Sequence, residues 1–170
     1  MPDQRAAPAP GLDEAQLLAA QGEWSAALRA LDALLEREPA QLEAVLLKAG
    51  VLLQSRKEGL ALEHFVRATA LAPFSAEAAN GLARCLHSMG RNEEALARAL
   101  GAQALLAREE NFAQIAPVYL TLVWIHRETR RFKEALAVAE EGLSRCADAV
   151  LAQWASVVEE ELEEAQQERC

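Results

Sequence analysis

The residues best suited to metal binding or nucleophilic attack are three histidines and three cysteines. No histidine stands in an H-E-x-x-H motif or at the spacing of a zinc site from a cysteine, and no two cysteines form a C-x-x-C pair. The odd number and wide spacing of the cysteines indicate reduced thiols in a reducing compartment rather than a disulfide framework. We therefore expect no metal site and no cofactor. These six residues are His64, His87, His126, Cys85, Cys146 and Cys170.

Adjacent glutamates are the remaining candidates for chemistry, as a general acid and a general base. Pairs such as Glu93 with Glu94 and Glu140 with Glu141 are neighbours in sequence. Neighbouring residues diverge by about 100° on a helix, so these carboxylates are more consistent with solvated faces than with a catalytic pair. The chain also has no G-x-S-x-G motif and no glycine-rich phosphate loop. The sequence predicts no catalytic residue and no enzyme.

The composition of the 170-residue chain restricts its partners. The net charge is −9 and the isoelectric point is near 4.9, which disfavours nucleic acid because phosphates require a basic surface. Hydrophobic residues make up 52% of the chain, and many are alanines, which suit close helix packing. Valine and isoleucine form no alternating run, so we expect no strands.

Neither the N-terminus nor any apolar stretch predicts a membrane or secretory segment. Residues 1–10 are rich in proline and alanine and lack the apolar core of a signal peptide, so we expect a disordered tail. The longest apolar stretch, residues 115–125, is shorter than the roughly 20 residues that a spanning helix needs. The sequence therefore predicts a cytoplasmic protein without membrane insertion.

A pattern of small and large apolar residues organises the chain. In residues 61–73, Ala61, Phe65 and Ala68 form one stripe of a helix, and Pro73 ends that helix because it lacks an N–H group. The pattern recurs 34 residues earlier and 34 later, and a fourth copy begins 40 residues after the third. Such a period is typical of helical repeat arrays. The other copies are Ala27, Leu31, Leu34 and Pro39; Ala95, Ala99 and Ala102; and Ala135, Ala139 and Gly142.

This pattern resembles the tetratricopeptide repeat, a unit of 34 residues with two helices, A and B. In the third unit, Leu82, Ala83 and Leu86 match helix A, and Gly90 matches the turn between the helices. The fourth unit lacks the turn glycine and the final proline. The resemblance covers roughly residues 11–147. It implies an all-α fold, a right-handed solenoid of four helical hairpins.

The resemblance places the four repeats at about residues 11–39, 40–73, 74–110 and 111–147. Asp148 then caps a last helix in residues 148–170, with one apolar face and one acidic face. A repeat array needs such a helix to cover its end, so we expect a C-terminal capping helix and nine helices in all. A partner-binding or membrane-binding helix is the alternative, although acidic residues disfavour anionic membranes. The apolar residues are Leu151, Trp154, Ala155, Val158 and Leu162.

The six extra residues between the third and fourth repeats leave two helix starts open. In the preferred interpretation, the third helix B extends past Ala107, and Asn111 with Gln114 caps the next helix. Pro117 would then lie inside that helix and kink it. In the alternative, the helix begins at Ala116, with Pro117 in its first turn and a loop before it.

In the tetratricopeptide family the A helices line a concave groove, and groove-facing residues recur at fixed repeat positions. Large apolar residues at open positions commonly mark partner sites, and arginines there add positive charge to this acidic chain. For Leu120 and Trp124 the alternative is burial under the C-terminal helix. The expected groove residues are Leu46, Leu53, Asn80, Arg84, His87, Leu120, Trp124 and Arg127, with Gln16 and Gly50 at equivalent positions.

The resemblance implies a non-catalytic adaptor that binds a peptide segment of a partner protein in this groove. The groove suggests a segment with apolar anchors and some acidic character. The lysines with which chaperone-binding members hold a terminal carboxylate are missing. The alternative function is a cytoplasmic secretion chaperone, because small acidic proteins built from these repeats hold hydrophobic clients before export. The sequence leaves the partner and the oligomeric state open.

Overall fold

A computed structural model describes residues 11–107 and 112–168. The expected tail of residues 1–10, the expected helix cap Asn111 and the terminal Cys170 lie outside the described residues. The described part of the chain contains nine α-helices, one short 3₁₀ helix and no strand, which confirms the all-α class. No helix in this part combines the length and the apolar character needed to cross a bilayer. The chain divides into two compact units, Met1–Pro73 and Phe74–Cys170.

The first unit contains two helical hairpins. Helices α1 (Leu12–Ala20) and α2 (Trp24–Arg37) form one hairpin, and α3 (Leu42–Gln54) and α4 (Glu58–Leu71) form the other. Helix α3 packs against α2 and α1, so the hairpins stack within this unit. The residues that define the repeat pattern form the core, because small alanines let the helices approach closely around a few large side chains. Ala15, Ala27, Leu31, Ala49, Leu52, Ala61, Phe65 and Ala68 are all buried.

The second unit contains two further hairpins and a last helix. Helices α5 (Ala76–Ser88) and α6 (Asn92–Leu106) pair, and a 3₁₀ turn (Phe112–Gln114) precedes α7 (Ile115–Glu128), which pairs with α8 (Phe132–Arg145). The last helix, α9 (Ala149–Gln167), packs on α8 and α7, just as α7 packs on α6 and α5. Gly142 on α8 allows this packing, because a Cβ atom there would lie 2.7 Å from atoms of both Tyr119 and Leu151.

The turns inside the four hairpins share one backbone conformation. Gly22, Arg56, Gly90 and Arg130 have φ angles of 78°, 60°, 74° and 57°, in the left-handed region. At each turn the N–H group of the following residue donates to a carbonyl five residues back, as in the bond from Glu23 to Leu18 at 2.9 Å. This is the Schellman motif, which satisfies carbonyl groups at the end of a helix. The second and fourth turns thus adopt the glycine conformation with arginine in place of glycine.

The start of α7 corrects the preferred sequence interpretation. The α-helix begins at Ile115, so Pro117 lies in its first turn, close to the alternative start at Ala116. A proline is tolerated there because N–H groups of the first turn have no intrahelical acceptor. Helix α6 ends at Leu106, and an extension past Ala107 falls on residues outside the described ranges.

Two helices begin at a residue whose side chain caps them, and the cap expected at Asp148 is confirmed. The Ser75 hydroxyl accepts a hydrogen bond from the Ala78 N–H at 3.2 Å and caps α5. The Asp148 carboxylate accepts one from the Leu151 N–H at 2.8 Å and caps α9. Leu151 and Val158 on α9 are buried, and Trp154 is half-buried, so the apolar face of α9 is the face that packs.

Candidate partner-binding surface

The expected groove residues lie on three A-type helices. Leu46 and Leu53 are half-buried on α3, in the first unit. The other six are in the second unit, where α5 packs against α7. We call these six residues the α5–α7 surface. They are Asn80, Arg84 and His87 on α5, and Leu120, Trp124 and Arg127 on α7.

Arg84 is the most available charged group of the α5–α7 surface. Its side chain is exposed, and within residues 11–107 and 112–168 it forms no hydrogen bond and no ion pair. Nevertheless, desolvation by burial lowers the pKa of its guanidinium group below the ordinary value. Arg84 is therefore an exposed cation without a partner among the described residues.

Asn80 lies one helical turn before Arg84, on the same side of α5, because residues four apart share a helix face. The residue is only 3% exposed. Its Oδ1 atom is buried and receives no hydrogen bond from any described residue. A buried carbonyl oxygen without a donor costs folding free energy, so this amide is a polar group in need of a partner. His87, in contrast, is held by the Asn92 side chain, with Nδ1 2.9 Å from Oδ1.

Two residues of α7, Trp124 and Arg127, contact the last helix, α9. The Trp124 ring meets the Trp154 ring edge to face, with centroids 6.2 Å apart. The Nε1 atom of Trp124 is buried and finds no acceptor in the described chain. Leu120 is half-buried.

Arg127 contacts α9 through hydrogen bonds to Glu161 and through the Trp154 ring. Its Nε donates to Oε2 of Glu161 at 2.8 Å, its Nη2 donates to Oε1, and its guanidinium lies 5.3 Å from the centre of the Trp154 ring. The hydrogen bond from Arg127 to Glu161 raises the pKa of Arg127. Trp154 and Glu161 thus already engage Trp124 and Arg127, which favours for Trp124 the alternative of contact with the C-terminal helix.

Sequence reasoning did not assign Trp154 and Glu161 to this surface, although a signal was present. Glu161 follows Arg127 by 34 residues, and Trp154 follows Leu120 by the same interval. This is the repeat period, so α9 continues the series of A helices beyond the fourth hairpin. Its packing on α8 and α7 matches that position.

Histidine and cysteine side chains are the remaining groups that could react. Among the described residues no group of three or more His, Cys, Asp or Glu side chains could hold a metal ion. Cys85 is buried, and burial raises the pKa of the Cys146 thiol, which disfavours a nucleophilic thiolate. Burial lowers the pKa of His126, which packs in the core. Among the described residues, the α5–α7 surface thus holds an exposed guanidinium without a partner at Arg84 and a buried amide oxygen without a donor at Asn80.

Comparison with known proteins identifies the repeat. A family model described as tetratricopeptide repeat matches residues 12–65 and 59–111. No curated protein sequence matches the chain.

Three solved structures illustrate the shared fold. PilF from Pseudomonas aeruginosa has a TM-score of 0.76 and 20% identity, over 90% of this chain and 68% of its own. A thermophilic tetratricopeptide protein from Thermus thermophilus has a TM-score of 0.72 and 20% identity, over 85% and 78%. The type III secretion translocator chaperone SycD from Yersinia enterocolitica has a TM-score of 0.63 and 18% identity, over 69% and 90%. Because the family model matches residues 12–111, more than half of the chain, the chain belongs to the tetratricopeptide repeat family.

Proposed function

We propose that this protein is an adaptor whose second unit binds a peptide segment of a partner protein on the α5–α7 surface. Tetratricopeptide repeats are protein–protein interaction modules, and their fold is generally a non-catalytic scaffold. Binding of a peptide segment on the α5–α7 surface is inferred from the side chains of that surface. Leu46 and Leu53 remain proposed contacts on the A-helix face of the first unit.

The observation that supports the proposal best is the state of Arg84. Arg84 is exposed, and no carboxylate among the described residues pairs with it. A bound segment that supplied an acceptor would gain a charge-assisted hydrogen bond without displacing an existing one. Arg127 and Trp124 are less available, because α9 engages both.

The test requires the native partner and one matched control. The partner is identified by copurification, and its bound segment is mapped by truncation and synthesised. Its affinity is then measured by calorimetry for the unmodified chain, Arg84→Glu and Arg98→Glu. Arg98 is an exposed arginine of the same unit, on α6 rather than on an A helix.

We expect Arg84→Glu to weaken binding by about tenfold or more, since it replaces an attraction with a repulsion, and Arg98→Glu to leave binding nearly unchanged. Thermal stability of both variants should match the original, because neither arginine lies in the core. Unaltered binding by Arg84→Glu would place the partner site elsewhere.

A secretion chaperone is the second candidate function. The likeness to SycD, which covers 90% of that chain, and the acidic composition support it. Coexpression separates the two candidates. A chaperone keeps one client soluble that aggregates when expressed alone, whereas an adaptor retains a partner that is already folded.

We also propose a cytoplasmic location. Within the described residues Cys85 and Cys146 form no disulfide bond, which suits a reducing compartment. Fractionation of cells that express the tagged full chain tests this location, and recovery from an oxidising compartment would contradict it.

A further inference from the structure

We infer that a second copy of this chain docks on the second unit, with a basic turn of each copy against an acidic face of the other. The inference goes beyond the proposed function, because it uses neither the α5–α7 surface nor a peptide ligand. The basic turn lies where the chain passes from α7 into α8 and consists of Arg130, Arg131 and Lys133. The acidic face lies on the second half of α9 and consists of Glu159, Glu160, Glu163 and Glu164.

The basic turn belongs to the densest positive stretch of the sequence. Residues 127–133 hold four of the 17 lysines and arginines of a chain whose net charge is −9. Arg127 is paired with Glu161, but the three side chains of the basic turn are exposed, and none forms an ion pair within the described ranges. Arg130 only stacks on Phe132, with its guanidinium 5.7 Å from the ring centre. The charge of the basic turn is therefore available to a carboxylate from outside the chain.

Local structure gives no reason for two of these charges. Lys133 lies in the first turn of α8, where the helix dipole favours acidic rather than basic side chains. Arg130 has a φ angle of 57°, a conformation that glycine adopts without strain. A contact outside the unit supplies the reason that the fold does not.

The acidic face is the complement of the basic turn on the same chain. Residues 159–164 contain five glutamates, and residues 146–168 contain no lysine or arginine. Among these five, Glu161 forms an ion pair with Arg127, whereas the four glutamates of the acidic face are exposed and form none with any described residue. Because each copy carries both patches, a second copy provides the matching charges in equal number.

The two patches lie at the same end of the second unit. Trp124 of α7 contacts Trp154 of α9, and Arg127, further along α7, pairs with Glu161, further along α9. The two helices therefore run in the same direction, and the turn after α7 lies at the same end as the second half of α9. A two-fold interface uses one surface of both copies, so that surface must be self-complementary. Neighbouring patches of opposite charge meet this requirement, because the two-fold axis places each on the other.

Ionic strength decides how strongly the copies associate. The net charge of −9 makes them repel at a distance, whereas the patches attract at contact. At about 0.15 M salt the Debye length is about 8 Å, which screens the distant repulsion more than ion pairs at about 4 Å. At about 1 M salt it is about 3 Å, and the ion pairs are screened as well. We therefore expect a weak dimer near 0.15 M salt that dissociates at high salt.

Analytical ultracentrifugation of the full chain, over a concentration series, tests the inference. The dissociation constant of the dimer should rise about tenfold or more between about 0.15 M and about 1 M salt. Two variants reverse one patch each: Arg131→Glu with Lys133→Glu, and Glu163→Lys with Glu164→Lys. Each variant should be monomeric at concentrations at which the unmodified chain is dimeric. Both should fold, because the helix dipole favours acidic residues at the start of α8 and basic ones near the end of α9.

A mixture of the two variants is the sharpest measurement. Together they restore opposite charges at both contacts, so an equimolar mixture should form a heterodimer that neither variant forms alone. Matched controls make the same changes in net charge at exposed positions of the first unit, and they should alter the dissociation constant less than about threefold. These controls are Arg29→Glu with Lys57→Glu, and Glu36→Lys with Glu38→Lys.

Four results would show that the inference is wrong, and none of them bears on peptide binding by the α5–α7 surface. The first is an unmodified chain that stays monomeric at every concentration of the series at about 0.15 M salt. The second is a dimer that the controls weaken as much as the patch variants do. The third is a mixture of the patch variants that stays monomeric. The fourth is a copurified protein, rather than a second copy, whose binding requires Arg131 and Lys133, since the occupant is then an acidic segment of that protein.

Discussion

The Arg127 guanidinium on α7 is held by the carboxylate of Glu161 on α9, a residue 34 positions further along the chain. One arginine nitrogen lies 2.8 Å from Oε2, and the guanidinium also lies 5.3 Å from the centre of the Trp154 ring. Because 34 residues is the repeat period, this pair joins equivalent positions on successive A-type helices. In the second unit, α9 is therefore part of the repeat stack.

Replacing Glu161 with glutamine should loosen α9. The pair is partly exposed, with 35% and 26% of the two side chains accessible, so we expect a loss of about 1 kcal/mol rather than the larger value of a buried pair. Urea denaturation followed by tryptophan fluorescence measures this loss, which should shrink at about 1 M salt. Glu164→Gln, on the exposed face of α9, is the control and should change little. Equal stability of the two variants would contradict a role for this ion pair.

Alanine should have opposite effects on stability at two helical glycines, Gly142 and Gly101. A Cβ atom at Gly142 would lie 2.7 Å from atoms of Tyr119 and Leu151, whereas a Cβ atom at Gly101 has nothing within 4 Å. We expect Gly142→Ala to destabilise by about 1–3 kcal/mol through overpacking. Gly101→Ala should stabilise by about 0.5–1 kcal/mol through helix propensity. Thermal denaturation of both variants measures these changes in stability. A more stable Gly142→Ala variant would show that α9 packs less closely on α8.

Replacing Arg56 with glycine should stabilise the protein. Its φ of 60° is unfavourable for a residue with a Cβ atom but not for glycine. After subtraction of the extra backbone entropy of glycine, we expect Arg56→Gly to stabilise the first unit by about 1 kcal/mol. Gly22→Ala at the equivalent turn should destabilise it by a similar amount, since φ is positive there and the nearest atom, Cζ2 of Trp24, lies at an ordinary contact distance of 3.9 Å. Urea denaturation measures both changes, and a loss for Arg56→Gly would contradict backbone strain at that turn.

His126 should make folding sensitive to mild acid. Burial is the main cause of its lowered pKa, followed by opposing effects of Glu134, which raises it, and Arg131, which lowers it. The unfolded chain therefore binds a proton more readily than the folded one, so stability is complete above about pH 6.5 and falls as the pH drops toward the lower native pKa. Urea denaturation at about pH 7 and about pH 5 should show a smaller loss for His126→Leu than for the unmodified protein. An identical loss would mean that His126 does not contribute, and His64→Leu then tests the other histidine whose pKa burial lowers.

Local features of this fold follow from the sequence because their causes lie within one helical turn. Ser75 and Asp148 cap the helices that they precede, through hydrogen bonds to residues three positions later. The alanine pattern with its 34-residue period identifies the buried faces, since helical periodicity decides which residues share a face. These signals were sufficient for the fold class and the helix count.

The sequence signals the backbone conformation of two of the four turns. Glycine at positions 22 and 90 signals a positive φ, but Arg56 and Arg130 adopt the same conformation with no such signal in their side chains. At those turns the packing of the helices on either side determines the backbone, and the arginines bear the strain. The start of α7 at Ile115 was ambiguous for a similar reason, because proline is compatible with several positions near a helix start.

The state of the candidate surface depended on tertiary structure. Repeat position identified Arg84, Trp124 and Arg127 as residues of one face, since that is a property of helix geometry. Which of them is open depends on what packs beside them, and Glu161 reaches Arg127 only because the chain reverses through α8 and returns α9 to α7. No described residue brings a carboxylate to Arg84 in this way. Identical side chains on successive A-type helices thus differ, one paired and one open, because ion pairs across helices form by long-range packing rather than by sequence spacing alone.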